Sequence, residues 1–325
     1  MRTVALPGTD LRASRLGFGS AALMARLGRR ESVRLLEVAH EAGITHFDTA
    51  RAYGYGEAEA ALGEFLGRRR DAVTVTTKLG IVPPRPSRGL QAAKGAARTA
   101  VRRLPALRPL LRRGARSMGQ TGAFEPAAAR ASLETSLREL GTESVDFLLL
   151  HECRAEDLRP ELLAFLEAAV REGKVRRFGV ATDRGSTEAI LRDRPEFAGA
   201  IQLRQTVVDP PPPAPAGVPV FSHSAIAPLL GPLVDALRDP GLRARWSEQL
   251  GVDCGDADVL ARLLLAGALR ANPAGVVLFS STDAGRIRAN AKVAAGDEPS
   301  PDQVDRFAKL ARDRLGAYGL ATSSR

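Results

Sequence analysis

Eight short runs, four to six residues long and dense in apolar, β-branched or aromatic side chains, recur along this chain with helical periods between them. They begin at Leu16, Thr45, Ala72, Val145, Val175, Ala200, Val218 and Val276. Ala72-Val-Thr-Val-Thr-Thr77 is representative: too short for a helix, and continuous in the way of a strand covered on both faces. The intervals carry the other periodicity. Ala58, Ala61, Leu62, Phe65 and Leu66 share one helical face, as do Leu133, Leu137 and Leu140. Ser32 is expected to cap a helix that stops at Gly43. Pro126 suits a first helical turn, and Gly141 and Gly173 suit helix ends. Strands alternating with helices must pair in parallel, because each helix returns the chain to the same end of the sheet. Eight such units suit a closed (β/α)8 barrel, typically about 250 residues. Residues 1–15, with Pro7-Gly8 between apolar flanks, are expected to form a hairpin ahead of it. An open doubly wound sheet is the competing architecture, but no G-x-G-x-x-G follows the first strand.

The charge is concentrated in one place. The chain has 47 Lys+Arg against 37 Asp+Glu, a net +10, and ten of the basic residues lie within 84–124, where there is no acid. Elsewhere the two signs balance, so the excess does not by itself mark a nucleic-acid binder. The segment 84–124 is rich in Pro, Gly and Ala without a sustained period, and reads as a long basic loop inserted after the third barrel strand. Gripping a phosphate, an acidic partner or a nucleic acid is its alternative use. Without those 41 residues 284 remain, enough for one barrel, so the whole of 1–325 is read as one domain. Two cysteines, Cys153 and Cys254, make neither a disulfide framework nor a four-thiolate zinc site. No apolar run reaches the roughly 18–20 residues of a membrane span. The first residues lack an apolar leader, so a cytoplasmic location is expected.

Reactive groups in such barrels gather at the C-terminal ends of the strands. Read in order, those ends supply Asp48, Lys78 and His151, with Tyr53 five positions beyond Asp48. A lysine buried beside an aspartate stays charged. Its ammonium beside a phenol is expected to pull the tyrosine pKa below its usual value of about 10, making Tyr53 a proton donor near neutral pH. A histidine opposite can help to hold a carbonyl oxygen. Singly, each has a plainer reading: a turn carboxylate, a rim aromatic, a surface lysine, a core histidine. The four in strand order carry the functional one. A Schiff-base aldolase using Lys78 is a second chemistry open to this architecture.

His46-Phe-Asp-Thr-Ala-Arg-Ala-Tyr53-Gly, Thr76-Thr-Lys78, Val145-Asp-Phe-Leu-Leu-Leu-His151 and Gly173-Lys-Val-Arg-Arg-Phe-Gly-Val180 resemble the aldo-keto reductase superfamily. The likeness runs from the hairpin to about Ala294, apart from the insertion. It implies a (β/α)8 barrel that interconverts an aldehyde or ketone and its alcohol with a nicotinamide cofactor and no metal. Carried over, Tyr53 is the general acid, Lys78 and Asp48 tune it, and His151 helps to hold the substrate oxygen. The implied partner is a small carbonyl compound or alcohol, with neither a membrane nor a nucleic acid expected.

The same resemblance implies NADP, with NAD as the alternative. Val277 to Asn290 is similar to the family's adenosine-phosphate segment, keeping Ser281, Arg286 and Asn290, and a planar guanidinium suits a 2′-phosphate. Phe279-Ser280 lacks the basic residue or Pro-Gly turn of many members. Gly19, Ser20, Thr182 and Gln202 complete the implied cofactor set, Gln202 under the nicotinamide carboxamide. Two departures stand out. Gly179-Val-Ala181-Thr182 replaces a Gly-Val-Ser-Asn pattern, and His223 occupies the place of a stacking tyrosine. They imply an altered grip on the cofactor and leave open a regulatory or sensing barrel with little turnover. Cys153 is read as a packed thiol. The stretch 224–250, which contains Trp246, is expected to wall the substrate pocket.

Overall fold

Parallel pairing runs unbroken around a closed ring of strands. The structure is a computed structural model that describes residues 1–83, 122–296 and 299–321, so most of the basic segment, 84–121, lies outside the described residues. An antiparallel hairpin of β1 (Thr3–Ala5) and β2 (Arg12–Ser14) precedes the ring. The ring consists of β3 (Leu16–Gly19), β4 (His46–Asp48), β5 (Thr74–Leu79), β6 (Val145–His151), β7 (Val175–Ala181), β8 (Ile201–Arg204), β9 (Val220–His223) and β10 (Val276–Phe279). Each strand pairs in parallel with its neighbours, and β10 closes the ring on β3. These are the eight runs read from the sequence, with ends shifted by a residue or two.

Side chains alternate across each strand, so every second residue points into the barrel. On β5 the inward set continues from Thr74 and Thr76 to Lys78; on β6 it continues from Phe147 and Leu149 to His151. Apolar inward residues, among them Phe147, Leu149, Phe221 and Leu278, pack with Leu6 and Ala13 of the hairpin, which covers the N-terminal end. The outward set, including Phe47, Val75, Leu148 and Leu150, packs beneath the helices. The interior is tight: a Cβ at Gly179 would collide with the Ala200 backbone. His46, Thr74 and Thr76 help to fill the floor, and the charged inward residues Asp48 and Lys78 stand above them at the C-terminal mouth.

The helices are α1 (Leu23–Arg26), α2 (Arg29–Glu41), α3 (Ala58–Leu66), α4 (Pro126–Leu140), α5 (Pro160–Arg171), α6 (Arg184–Asp193), α7 (Ala227–Ala236), α8 (Pro240–Leu250), α9 (Ala257–Ala271), α10 (Ala284–Ala295) and α11 (Pro301–Ala321). Pro126 does open α4, and Gly141 ends it in the left-handed region with φ 62°. Ser32 does not cap α2. That helix starts at Arg29 behind Gly28, and Ser32 is buried with its hydroxyl unpaired, because Arg29, Arg30 and Glu31 are themselves good helix formers. The end of the presumed loop is also ordered fold: Phe124 is buried, and the Ala123 amide donates to the Gly80 carbonyl at 3.2 Å.

From β8 to β9 the chain crosses without a helix. Arg184 holds that polyproline connection by donating to the carbonyls of Pro210 (2.8 Å) and Pro211 (3.1 Å). The stretch 224–250 forms α7 and α8. Its first residues, Ser224 to Ala227, do line the cavity at the barrel mouth, whereas Trp246, further along, packs edge-on to Phe307 of α11 in a second apolar cluster. Helix α11 offers that side of α7–α9 enough apolar surface to draw the indole outward. Among the described residues no helix is long and apolar enough to cross a membrane.

Candidate active site

The register of β4 and β5 sets Asp48 beside Thr76, so Lys78, one inward step further, rises alongside the carboxylate. Lys78 Nζ donates to Asp48 Oδ1 (2.7 Å), Asp48 Oδ2 (2.8 Å) and the Thr49 carbonyl (2.9 Å), and lies 3.3 Å from the Tyr53 hydroxyl. Lys78 is 1% and Asp48 4% exposed. Gln202 reaches across from β8, its amide donating to Asp48 Oδ2 at 2.7 Å. Ser20 braces the same turn. Its amide donates to the Asp48 carbonyl (2.9 Å) and its hydroxyl to Thr49 Oγ1 (2.9 Å). Tyr53 sits in a 3-10 turn, Tyr53–Gly56, two residues after Arg51, whose guanidinium pairs with buried Glu59 at 2.7 Å; Thr77 donates to the other Glu59 oxygen at 2.6 Å. The loop is thus tied to α3 and β5 on either side of the phenol.

His151 ends β6 with its ring edge-on to Tyr53, centroids 5.8 Å apart and planes at 86°. His223 ends β9, its Nδ1 paired with Ser224 Oγ at 2.9 Å. Burial, with the Lys78 charge second, lowers the His151 pKa to about 3; the same causes lower that of His223 to about 4. Both rings are neutral at physiological pH. Burial pulls the Lys78 pKa down, but the Asp48 carboxylate and Tyr53 outweigh it and hold the ammonium above its ordinary value. The phenol corrects the expectation. Burial pushes the Tyr53 hydroxyl above 10; Lys78 pulls it back only in part, since Asp48 opposes that pull. Tyr53 is a protonated donor, not a half-ionised one.

The cluster opens into a cavity of about 550 Å³ at the C-terminal mouth of the barrel. Asp48, Tyr53 and His151 line it, and so do Gly19, Thr182, Gln202, His223 and Asn290. Lys78 lies beneath them and Ser20 behind the Asp48 turn. The structure therefore brings together all four residues read as the proton-transfer set and five of the eight residues read as cofactor-binding. Thr182 presents little free hydroxyl, because its Oγ1 is 2.8 Å from Thr187 Oγ1 at the start of α6. Ser281 and Arg286 are outside the cavity lining. Ser281 Oγ accepts from the Asp283 amide (3.1 Å). Asp283 caps α10 by accepting from the Arg286 amide (2.8 Å), which leaves the Arg286 side chain exposed. Cys153 is buried and its thiol is pushed up to about 12, chiefly by burial, so it is an inert packed group.

Residues 15–200 match the model of the aldo/keto reductase family, more than half of the chain. The chain belongs to that family. Among curated relatives, D-threo-aldose 1-dehydrogenase of a Pseudomonas species is 33% identical over 178 residues, 51% of this chain and 49% of that protein. The NADH-specific methylglyoxal reductase of Escherichia coli K12 is 29% identical over 191 residues, 56% of this chain and 52% of that protein. The chain thus matches about half the length of these relatives. A solved aldo-keto reductase of Klebsiella pneumoniae, in complex with NADP and acetate, superposes with a TM-score of 0.62 at 21% identity, covering 96% of both chains. Within this aldo-keto reductase barrel, the cavity lining also holds polar residues that the motifs do not mark, among them Asp183, Arg184, Arg204, Asp209 and Glu152. Glu152 follows His151 directly and takes φ 56°, and nothing in a single sequence announces that conformation.

Proposed function

We propose that this barrel is an oxidoreductase that interconverts an aldehyde or ketone and its alcohol, with a nicotinamide dinucleotide as the hydride carrier and Tyr53 as the acid. The observation that carries this reading is the Tyr53 hydroxyl, 3.3 Å from a buried ammonium and facing a cavity that His151 shares. Separated groups of these types have many uses. A phenol tied to a lysine that is locked onto a carboxylate has a narrow one, the delivery of a proton to an oxygen that is gaining charge.

The residues present fit the dinucleotide. The cavity runs from the Tyr53 cluster to Asn290 on α10, and is lined by amide, hydroxyl and backbone groups from β3, β7, β8 and β9. Thr182, Gln202 and His223 are placed for the nicotinamide end, with Gly19 and Ser20 beside it. Asn290, Arg286 and Ser281 are placed for the adenosine-phosphate end. Bound there, the reduced nicotinamide supplies a hydride to the carbonyl carbon.

Everything else is the work of this chain. His151, neutral, donates an N–H to the carbonyl oxygen without competing as an acid. Tyr53 donates its proton to that oxygen as the C=O double bond becomes a single bond, and the phenolate left behind faces the Lys78 ammonium. Asp48 and Gln202 keep that ammonium in register, and solvent returns the proton to Tyr53. The reverse reaction, oxidation of an alcohol, begins from the phenolate and so calls for higher pH.

NADP(H) is the preferred dinucleotide in this reading, supported by the exposed guanidinium of Arg286 in the first turn of α10. The small substrate enters beside it. The test is Tyr53→Phe, which keeps the ring and removes the proton. Reduction of a simple aldehyde is expected to fall by roughly 10²–10⁴-fold, while NADPH still quenches the fluorescence of Trp246, the single tryptophan. Full turnover in this variant would remove Tyr53 from the mechanism.

A further inference from the structure

Two described non-glycine residues take a positive φ: Glu152 at 56° and Ser224 at 62°. Each directly follows the histidine that ends a barrel strand, and both line the same cavity. The left-handed region is unfavourable for a side chain with a Cβ, by about 1 kcal/mol, and such strain persists where the surroundings impose it. For Ser224 the structure supplies the purpose, since its hydroxyl sits 2.9 Å from His223 Nδ1 and orients that ring. Glu152 has no such internal purpose. Its amide donates to the Ala181 carbonyl at 2.9 Å, which anchors the turn, yet among the described residues its carboxylate has neither a hydrogen bond nor an ion pair.

The other charged groups around the cavity are engaged. Asp183 accepts from the Ser186 amide (3.0 Å) and hydroxyl (2.7 Å) as the cap of α6. Arg184 donates to Gln205 and Pro210, at 3.1 and 2.8 Å. Arg204 faces Asp209 at 3.8 Å. The cations are committed to protein acceptors, and Glu152, an exposed carboxylate without a protein partner among the described residues, lines the cavity next to His151. We propose that Glu152 is a specificity-determining residue that accepts a hydrogen bond from a substrate hydroxyl, so that the enzyme selects neutral hydroxylated carbonyl compounds and rejects carboxylate-bearing ones. This rests on the oxidoreductase reading, in which His151 holds the carbonyl oxygen; the carboxylate one residue further along then meets a hydroxyl on the adjoining carbon. Burial and the nearby Asp183 hold the Glu152 carboxyl above the usual range, in keeping with a partly dehydrated acceptor.

The experiment compares kcat/KM for glyceraldehyde, propanal and glyoxylate, with NADPH and NADH, in the native protein, Glu152→Gln and Glu152→Gly. A charge-assisted hydrogen bond predicts that the native glyceraldehyde-to-propanal ratio falls about tenfold in Glu152→Gly. Glu152→Gln keeps an acceptor but loses the charge, so it should retain part of that ratio and improve glyoxylate by about tenfold. Glycine takes φ 56° without a Cβ penalty, so Glu152→Gly should unfold at no lower temperature than the native protein. An unchanged ratio in Glu152→Gly overturns the proposal, as does a lowered unfolding temperature with the ratio intact, which would make Glu152 structural. Should the native protein reduce none of the three aldehydes with either cofactor, the oxidoreductase reading fails and takes this proposal with it.

Discussion

Lowering the pH from 8 to 5 should destabilise this fold through one buried and two half-buried imidazoles. His46 is fully buried in the barrel floor, stacked on Phe221 at 4.7 Å and 17°, with Nδ1 bonded to Thr74 Oγ1 at 2.9 Å. Its pKa is lowered to about 3, chiefly by burial; those of His151 and His223 are lowered to about 3 and about 4. In the unfolded chain each titrates near 6.5. Between these values the unfolded state binds more protons than the folded state, so stability is full above pH 6.5 and is lost as the pH falls toward the folded values. At pH 5 each group costs about 2 kcal/mol, and the three together about 6 kcal/mol. His151 and His223 border a cavity that water can enter, which reduces their share, so the expected loss is about 4–6 kcal/mol. The carboxyl of Glu152, held above its ordinary value, works weakly the other way. Because whole domains are stable by only about 5–15 kcal/mol, the effect is large. Urea unfolding at pH 8, 6.5 and 5 measures it, and imidazole proton resonances followed over the same range report the three rings directly. Stability equal within about 1 kcal/mol at pH 8 and pH 5 would falsify the claim that these rings stay neutral when folded.

The same protonation states shape the rate. With His151 neutral and the Tyr53 phenol held above 10, carbonyl reduction should be flat from about pH 6 to 9; an inflection near 6.5 in kcat/KM would show that an imidazole titrates in the reaction. Cofactor choice is testable on α10. Arg286→Ala should raise KM for NADPH roughly tenfold and leave NADH nearly unaffected, whereas equal effects on both would detach Arg286 from a 2′-phosphate. Asp283→Ser keeps a helix cap but removes a negative charge from the turn that carries Arg286, and should lower KM for NADPH by a few-fold. An NADPH KM that rises or stays put would place the phosphate elsewhere.

Much of the architecture was legible because two short-range periods write it. Val145–His151 alternates inward and outward residues and ends on a polar one, and the flanking helices repeat every three to four residues. The expectations that failed depend on surroundings. Ser32 looks like a cap in isolation, but three helix-forming residues before it carry α2 back to Arg29. The stretch 224–250 walls the cavity only with Ser224 to Ala227, because α11 supplies Phe307 as the packing partner of Trp246 on the other side. The direction of the Tyr53 shift was misjudged because the ammonium was weighed without the carboxylate that offsets it or the burial that dominates both.

Strand order, the parallel ring and the placing of Asp48, Lys78 and His151 at strand ends follow from the amino-acid order, since periodicity and parallel pairing are properties of neighbouring residues. The balance among burial, Lys78 and Asp48 at the phenol, the hydrogen bond of Gln202 to Asp48, and the left-handed backbone of Glu152 in the cavity lining arise only when distant strands close into a ring. Charge and dehydration act through space, and the distances that govern them do not exist in the chain until it folds.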